Sequence, residues 1–341
     1  MKTHQVQQKT ERRISAALRL VFVAALLLGQ IALAFFLSTE LRQRAAIIYT
    51  VLELAAFGYA VRIYNRTDGT SYKFGWIFLV LTVPVVGLIL YFLWNGDRQQ
   101  KRLDLKKLPM PEEPEAQQAA HRIQMEKLRR KFPQWERLSV YLSRQGYLLY
   151  GDTETRYLPT GEMFLQDMLE KLEQAEHFIF LEFFIIAQGQ IWDRMEEIFR
   201  RKAAAGVEVK IIFDDFGSMM RFPAGQIEAL RESGVEVQVF NPVHHYVNRL
   251  YFNYRDHRKI VCIDGSTAYT GGANVADEYA NLTVRFGYWK DCGIRLDGPG
   301  AWGLTREFLH MWQRNGGQLM QERDYYRPHD HREAAGFCQP F

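Results

Sequence analysis

Residues 257–274 read HRKIVCIDGSTAYTGGAN. Three basic or polar residues, His257 to Lys259, lead into the apolar run Ile260 to Ile263, Asp264 and Gly265 follow, and STAYT leads into Gly271 and Gly272. This is the pattern of a strand, a tight turn and an antiparallel partner. Strand alternation puts His257, Lys259, Val261 and Ile263 on one face and Arg258, Ile260 and Cys262 on the other. The imidazole and the ammonium then point the same way, about 7 Å apart, a spacing that admits a phosphate between them. Gly271 and Gly272 offer a turn at which backbone can approach a ligand closely.

Outward from this stretch, strands and helices alternate. HFIFLEFFII (177–186) is a continuous apolar run of strand length interrupted only by Glu182. IWDRMEEIFRRKAAAG (191–206) has the period of an amphipathic helix and stops at glycine, VEVKIIF (207–213) is a strand, GQIEALRESG (225–234) a second helix with a glycine stop, and VEVQVF (235–240) a third strand. Strand–helix–strand order implies parallel pairing with helices on the sheet faces. The fold class is α/β, with ligands expected at strand ends and connecting loops.

The rest of the chain is apolar in blocks. LVFVAALLLGQIALAFFL (20–37) and FGWIFLVLTVPVVGLILYFLW (74–94) are each long enough for the roughly 30 Å hydrocarbon core of a bilayer. The second carries no charge and has Trp76 and Trp94 near its ends, as interfacial anchors should be. AAIIYTVLELAAFGYAV (45–61) is a weaker third candidate, because a carboxylate such as Glu53 at mid-span costs about 2.5–3.5 kcal/mol. The apolar run at 20–37 exceeds that of a cleaved leader. Basic residues precede the first span and follow the last, which favours a hairpin with both flanks cytoplasmic, in a multi-pass inner-membrane protein. Residues 1–19 form a basic tail, 20–94 the anchor, 95–145 a charged juxtamembrane linker, 146–320 the α/β domain and 321–341 a tail without strand or helix period. The basic cluster Arg98 to Lys107 could hold anionic head groups; ordinary membrane-flanking positives would read the same.

Several chemistries find no support. With 3 cysteines and no CxxC pair, neither a disulfide framework nor a cysteine zinc site is expected. P-loop, H-E-x-x-H and G-x-S-x-G patterns are missing, and no cofactor is implied. A net charge of +4 announces no nucleic-acid surface. His244 and His245 could touch substrate, and His329 and His331 could bind metal, but loop histidines without a role and a polar tail are the better readings.

On average residue usage, H-x-K-x4-D arises by chance in a chain of this length a few times in a hundred, and G-G-x-N at fixed spacing lowers that by about three further orders of magnitude. The stretch 257–274 resembles the H-x-K-x4-D-x6-G-G-x-N signature of the phospholipase D superfamily. More narrowly, NYRDHRKIVCIDG, HFIFLEFFII, GVEVKIIFDDFGS, FNPV, DEY, YWKDCGIRLDGP and EFLHMW fall in the order found in bacterial cardiolipin synthases. Asp256 stands where asparagine is common in that family. The likeness implies a phospholipase D-like half-domain, with a mixed, largely parallel sheet flanked by helices.

In such enzymes the signature histidine, here His257, forms a covalent phosphohistidine. Lys259 supplies a point charge for the phosphoryl oxygens and Asn274 a neutral donor. Asp264 belongs to the signature but points away from the lysine face, and reads as holding the turn. A histidine nucleophile needs its far nitrogen oriented by an acceptor; Asp291 is the first candidate and Glu182 the second, for which a structural ion pair is equally plausible. Arg255, Gly271 and Gly272 are expected to touch substrate. The implied reaction joins two phosphatidylglycerols into cardiolipin and glycerol, with phosphatidylglycerol and other anionic phospholipids as partners. Superfamily enzymes pair two signatures and this chain carries one. A homodimer, a complementing second half, or a truncated non-catalytic product are the expected solutions, with a dimeric phosphodiesterase as the alternative activity.

Overall fold

The computed structural model describes residues 42–66, 69–94, 115–242, 255–285, 287–318, 325–326, 334 and 336–341, with scattered positions between 25 and 35. The chain divides into two compact units, one holding the N-terminal helices and the other residues 103–242 and 255–341.

In the first unit, α1 (Arg42–Tyr64), α2 (Thr70–Thr82) and α3 (Pro84–Trp94) pack around Ala56, Ile63, Val80 and Tyr91. The stretch expected as one span over 74–94 is broken: α2 and α3 have 13 and 11 residues and meet at Val83. Pro84 cannot continue the ladder of α2 and instead starts α3, where its missing N–H costs nothing. Gly87 makes the bend possible, since a Cβ there would lie 2.5 Å from the Leu79 carbonyl oxygen. Among the described residues no helix is long and apolar enough to cross a membrane. The candidate at 45–61 lies within α1, with Glu53 exposed. The candidate at 20–37 lies largely outside the described residues.

The second unit is built on a seven-stranded sheet. Its strands are β1 (Glu154–Leu158), β2 (Phe178–Phe183), β3 (Glu208–Asp214), β4 (Glu236–Phe240), β5 (Lys259–Ile263), β6 (Thr267–Gly271) and β7 (Gly293–Asp297), in the order β1-β7-β6-β5-β2-β3-β4. β2, β3 and β4 run parallel, joined by the crossover helices α7 (Gln190–Ala204) and α8 (Ala224–Glu232). Every other pairing is antiparallel. The sheet is therefore mixed but not largely parallel. Only strands separated by a helical crossover run parallel, whereas β5 and β6 are joined by the short turn Asp264–Ser266 and must reverse.

β2 is buried along its whole length, which is why it reads as a continuous apolar run. The sheet parts two cores. Val261 and Ile263 face one with α6 (Gly161–Leu172), α7 and α8; Ile260 and Cys262 face the other, under α9 (Gly300–Arg314). In the second core Phe180 stacks on Phe308 with ring centroids 4.7 Å apart.

Residues expected as linker form α4 (Glu115–Lys131), a 3-10 turn at Pro133–Trp135 and α5 (Glu136–Arg144). They belong to the second unit: Leu128 and Leu142 are buried, and Trp302 Nε1 donates to Gln117 Oε1 at 3.0 Å. The end of the tail is also structured. Cys338 pairs with Tyr150 as an antiparallel bridge, and Gln339 bonds Ser139, Ser143 and Tyr147. A single bridge has no period, so composition could not announce it.

Candidate functional site

The site lies where the carboxyl end of β2 meets the amino end of β5, with Phe183 opposite Lys259 in the register. His257 precedes β5 and is exposed; its ring packs against Phe184 with centroids 4.9 Å apart. Partial burial of the imidazole, then the neighbouring Lys259 ammonium, lower its pKa, while Asp256 opposes them. The neutral, nucleophilic form is thereby favoured.

Lys259 is buried, with its ammonium over the Phe184 ring and donating to the His257 carbonyl at 2.7 Å. Burial lowers its pKa to about 8, against the fields of Asp256 and Asp291. The ammonium keeps two further protons, and a group so poorly solvated gains more from an incoming anion than a solvated lysine would.

Asn274 was expected as a donor to phosphoryl oxygens. It is buried, with Oδ1 accepting from Ile185 N–H at 2.9 Å and Nδ2 donating to Tyr279 OH at 3.0 Å. Together with the parallel bridge between Ile186 and Val275, it clamps the loop after β2 to the loop after β6. Both glycines answer to close packing by the segment after Trp289. A Cβ on Gly271 would lie 2.6 Å from the Cys292 carbonyl oxygen, and one on Gly272 would collide with the Asp291 carboxylate. The close backbone approach expected there is to Asp291 and Cys292.

Asp291 accepts from Cys292 N–H at 2.8 Å and Trp289 Nε1 at 3.3 Å. Among the described residues no hydrogen bond joins it to the His257 imidazole; its field acts on Lys259. Glu182 is not an orienting group for His257, because it projects to the opposite face of the sheet. There its Oε1 lies 2.7 Å from an Arg258 nitrogen, and burial raises its pKa well above the ordinary value. Asp264 sits at the far end of β5 and accepts from the N–H groups of Glu176, His177 and Phe178 at 2.7–2.8 Å. Those contacts make it the cap of β2. Arg255, expected at substrate, bonds Asp214 at 3.2 Å and the Asn241 carbonyl at 3.0 Å.

Sequence reading missed the layer beneath the site. Arg258, between the two signature residues, also meets Glu307 at 3.1 Å and Asp256 at 3.4 Å, so one guanidinium serves three buried carboxylates. The cue was present in alternation, which sends Arg258 to the apolar side where it needs partners. No cluster suited to a metal occurs among the described residues. His244, His245, His329 and His331 lie outside them.

His257, exposed, and Lys259, buried, thus stand together at the mouth of a mixed α/β sheet. Residues 168–284 match the family described as cardiolipin synthase, PLD-like domain, and residues 54–95 the phospholipase D-nuclease N-terminal family. Residues 168–284 thus carry a phospholipase D-like domain of the cardiolipin synthase kind, and the chain is similar to bacterial cardiolipin synthases. It is 31% identical to cardiolipin synthase 2 of Bacillus anthracis over 80% of this chain and 53% of that protein. To the major cardiolipin synthase of Bacillus subtilis it is 29% identical, over 73% and 53%. An uncharacterized protein of Streptococcus mutans is 37% identical over 75% and 55%. The chain thus spans about half the length of the curated relatives it matches. Among solved structures, the phospholipase D family member Nuc from Salmonella typhimurium aligns with 48% of this chain and 92% of its own at 19% identity and a TM-score of 0.34, too distant to bear on activity.

Proposed function

We propose that the chain supplies one catalytic half of a phosphatidyltransferase of cardiolipin synthase type, working at a membrane surface. The observation that carries this reading is His257 held beside Lys259, the first shifted toward its neutral form and the second half-desolvated.

The imidazole attacks the phosphorus of phosphatidylglycerol and forms an N–P bond as the P–O bond to glycerol breaks. Lys259 balances the charge gathering on the phosphoryl oxygens. The leaving glycerol oxygen takes a proton from a second histidine, supplied by another copy of His257 or by a complementing half. A terminal hydroxyl of a second phosphatidylglycerol returns that proton and attacks phosphorus, releasing His257 and cardiolipin. No nucleotide is consumed, since one phosphodiester replaces another. Asn274 serves this scheme by clamping the Phe184 loop against which His257 rests, and Asp291 by holding Lys259 charged. The apolar exterior of the first unit, with Val51, Leu54, Phe57, Phe74 and Phe78 exposed, supports membrane association.

The test places the full chain in phosphatidylglycerol liposomes, wild type against His257→Ala, and follows cardiolipin, glycerol and phosphatidic acid. Cardiolipin and glycerol that vanish in the variant are expected. Phosphatidic acid in place of cardiolipin would make the protein a phosphodiesterase. No product at any protein concentration would sink self-sufficient transfer.

A further inference from the structure

The helix pair α4–α5 has two unlike faces. Its inner face is fixed to the second unit by Gln117, Leu128, Ser139 and Leu142, and by His121 Nδ1, which accepts from Leu149 N–H at 2.9 Å. Its outer face leaves large apolar side chains in solvent: Ile123 is 57% exposed, Trp135 56%, Leu138 50% and Tyr141 61%. The last three are spaced by three residues, which lines them along one side of the 3-10 turn and α5. Isolated exposed apolar residues need no explanation, but a stripe of them does.

Charge makes the stripe specific. Between residues 122 and 144 stand seven basic side chains (Arg122, Lys127, Arg129, Arg130, Lys131, Arg137, Arg144) and two acidic ones, Glu126 and Glu136, whereas the whole chain carries only +4. Both acids are neutralised locally: Glu136 pairs with Arg129 at 2.7 Å, and Glu126 with Arg130 at 2.9 Å. What remains outward is a positive field around a tryptophan, a leucine and a tyrosine. Trp and Tyr favour the head-group level of a bilayer, and basic residues beside them favour its anionic lipids. A protein partner would need a complementary acidic, apolar groove, whereas an anionic bilayer offers both properties over any area.

We propose that the outer face of α4–α5 docks the second unit onto an anionic phospholipid surface, with Trp135, Leu138 and Tyr141 entering the head-group layer. The proposal does not depend on the reaction proposed above.

The test uses the full chain in vesicles of phosphatidylcholine alone or mixed with phosphatidylglycerol, with brominated acyl chains as fluorescence quenchers. The chain has 7 tryptophans, so the signal of Trp135 is the difference between wild type and Trp135→Phe. The expected result is quenching of that difference signal in phosphatidylglycerol vesicles, with loss of most of it in phosphatidylcholine or when Arg130, Arg137 and Arg144 are replaced by Gln. A Trp135 signal unquenched in both lipids would overturn the proposal. So would quenching that is indifferent to lipid charge, or a blue shift that grows with protein concentration in detergent, which would mean a second copy covers the face. All of these readouts are independent of turnover, so docking and catalysis stand or fall separately.

Discussion

Arg258 and Glu182 stand 2.7 Å apart on the face of the sheet that His257 and Lys259 do not use. The ion pair bridges β5 and β2 directly behind the two signature side chains. The surrounding carboxylates Asp256 and Glu307 are buried as well and meet the same guanidinium, so its removal would strip all three acids of that partner. Breaking one buried pair in this way costs about 3–5 kcal/mol. Arg258→Met is expected to lower the urea midpoint by that order. Glu182→Gln, which relieves crowding, should cost far less. Equal losses in the two variants would show that the pair is not the organising contact.

Glu182 also carries a pH signature. Its folded-state pKa is raised, above all by burial, so between the ordinary glutamate value and the raised one the unfolded chain holds fewer protons. Stability contributed by the protonated form is then present at acid pH and is lost as pH rises through that window. Urea midpoints followed upward from pH 5 should fall less steeply for Glu182→Gln than for wild type. Parallel curves would mean the group titrates normally.

The rate of phosphoryl transfer should follow two groups. His257, with its pKa lowered, is already largely neutral at the ordinary histidine value, so the rising limb should fall below it. Lys259 loses its proton at about 8, and the rate should fall through that pH. Asp291→Asn removes a field that keeps Lys259 charged, and should draw the upper limb downward. Cardiolipin formation against pH measures both limbs. An upper limb unmoved in Asp291→Asn would assign it to another group.

Asp264 separates fold from chemistry. Its carboxylate is the acceptor for three successive N–H groups at the start of β2, and hydrogen bonds to a charged group contribute about 1.5–3 kcal/mol. Asp264→Ala should lower the thermal midpoint by several degrees, yet leave the initial rate per folded molecule near wild type. A rate that collapses in fully folded protein would return Asp264 to the chemistry.

Gly272→Ala tests the packing of the segment after Trp289. The added methyl meets the Asp291 carboxylate, and overpacking of this kind costs about 1–3 kcal/mol. The accompanying displacement of Asp291 should shift the pH limb assigned to Lys259. A variant with wild-type stability and an unmoved limb would show that the neighbouring segment yields freely.

What the sequence made legible follows from distance along the chain. The shared face of His257 and Lys259 depends on alternation within a single strand, and period-two geometry has no competitor there. The crossover strands β2 to β4 were legible for the same local reason. Antiparallel addition of β7 and β1 was not, because pairing partners far apart leave no periodic mark. Nor was the true role of Asp264, whose acceptor contacts reach back 86 to 88 residues. Asn274 looks like a substrate donor until its loop is folded against Ile185. Glu182 could be read as orienting group or ion pair, and only the side of the sheet it occupies decides between them.

The clamp between Asn274 and Ile185 joins residues 89 apart in sequence. Contacts of such separation form late, after the intervening loop entropy has been met. A nascent chain that has made β2, α7, β3, α8 and β4 still has no wall for its nucleophile, because Phe184 finds His257 only when β5 inserts beside β2. The pair gains its shared wall only when β5 docks beside β2, since Phe184 is the ring on which both His257 and Lys259 rest. The site is in this sense timed by topology: residues far apart in sequence must be brought to one sheet end before His257 and Lys259 share a wall.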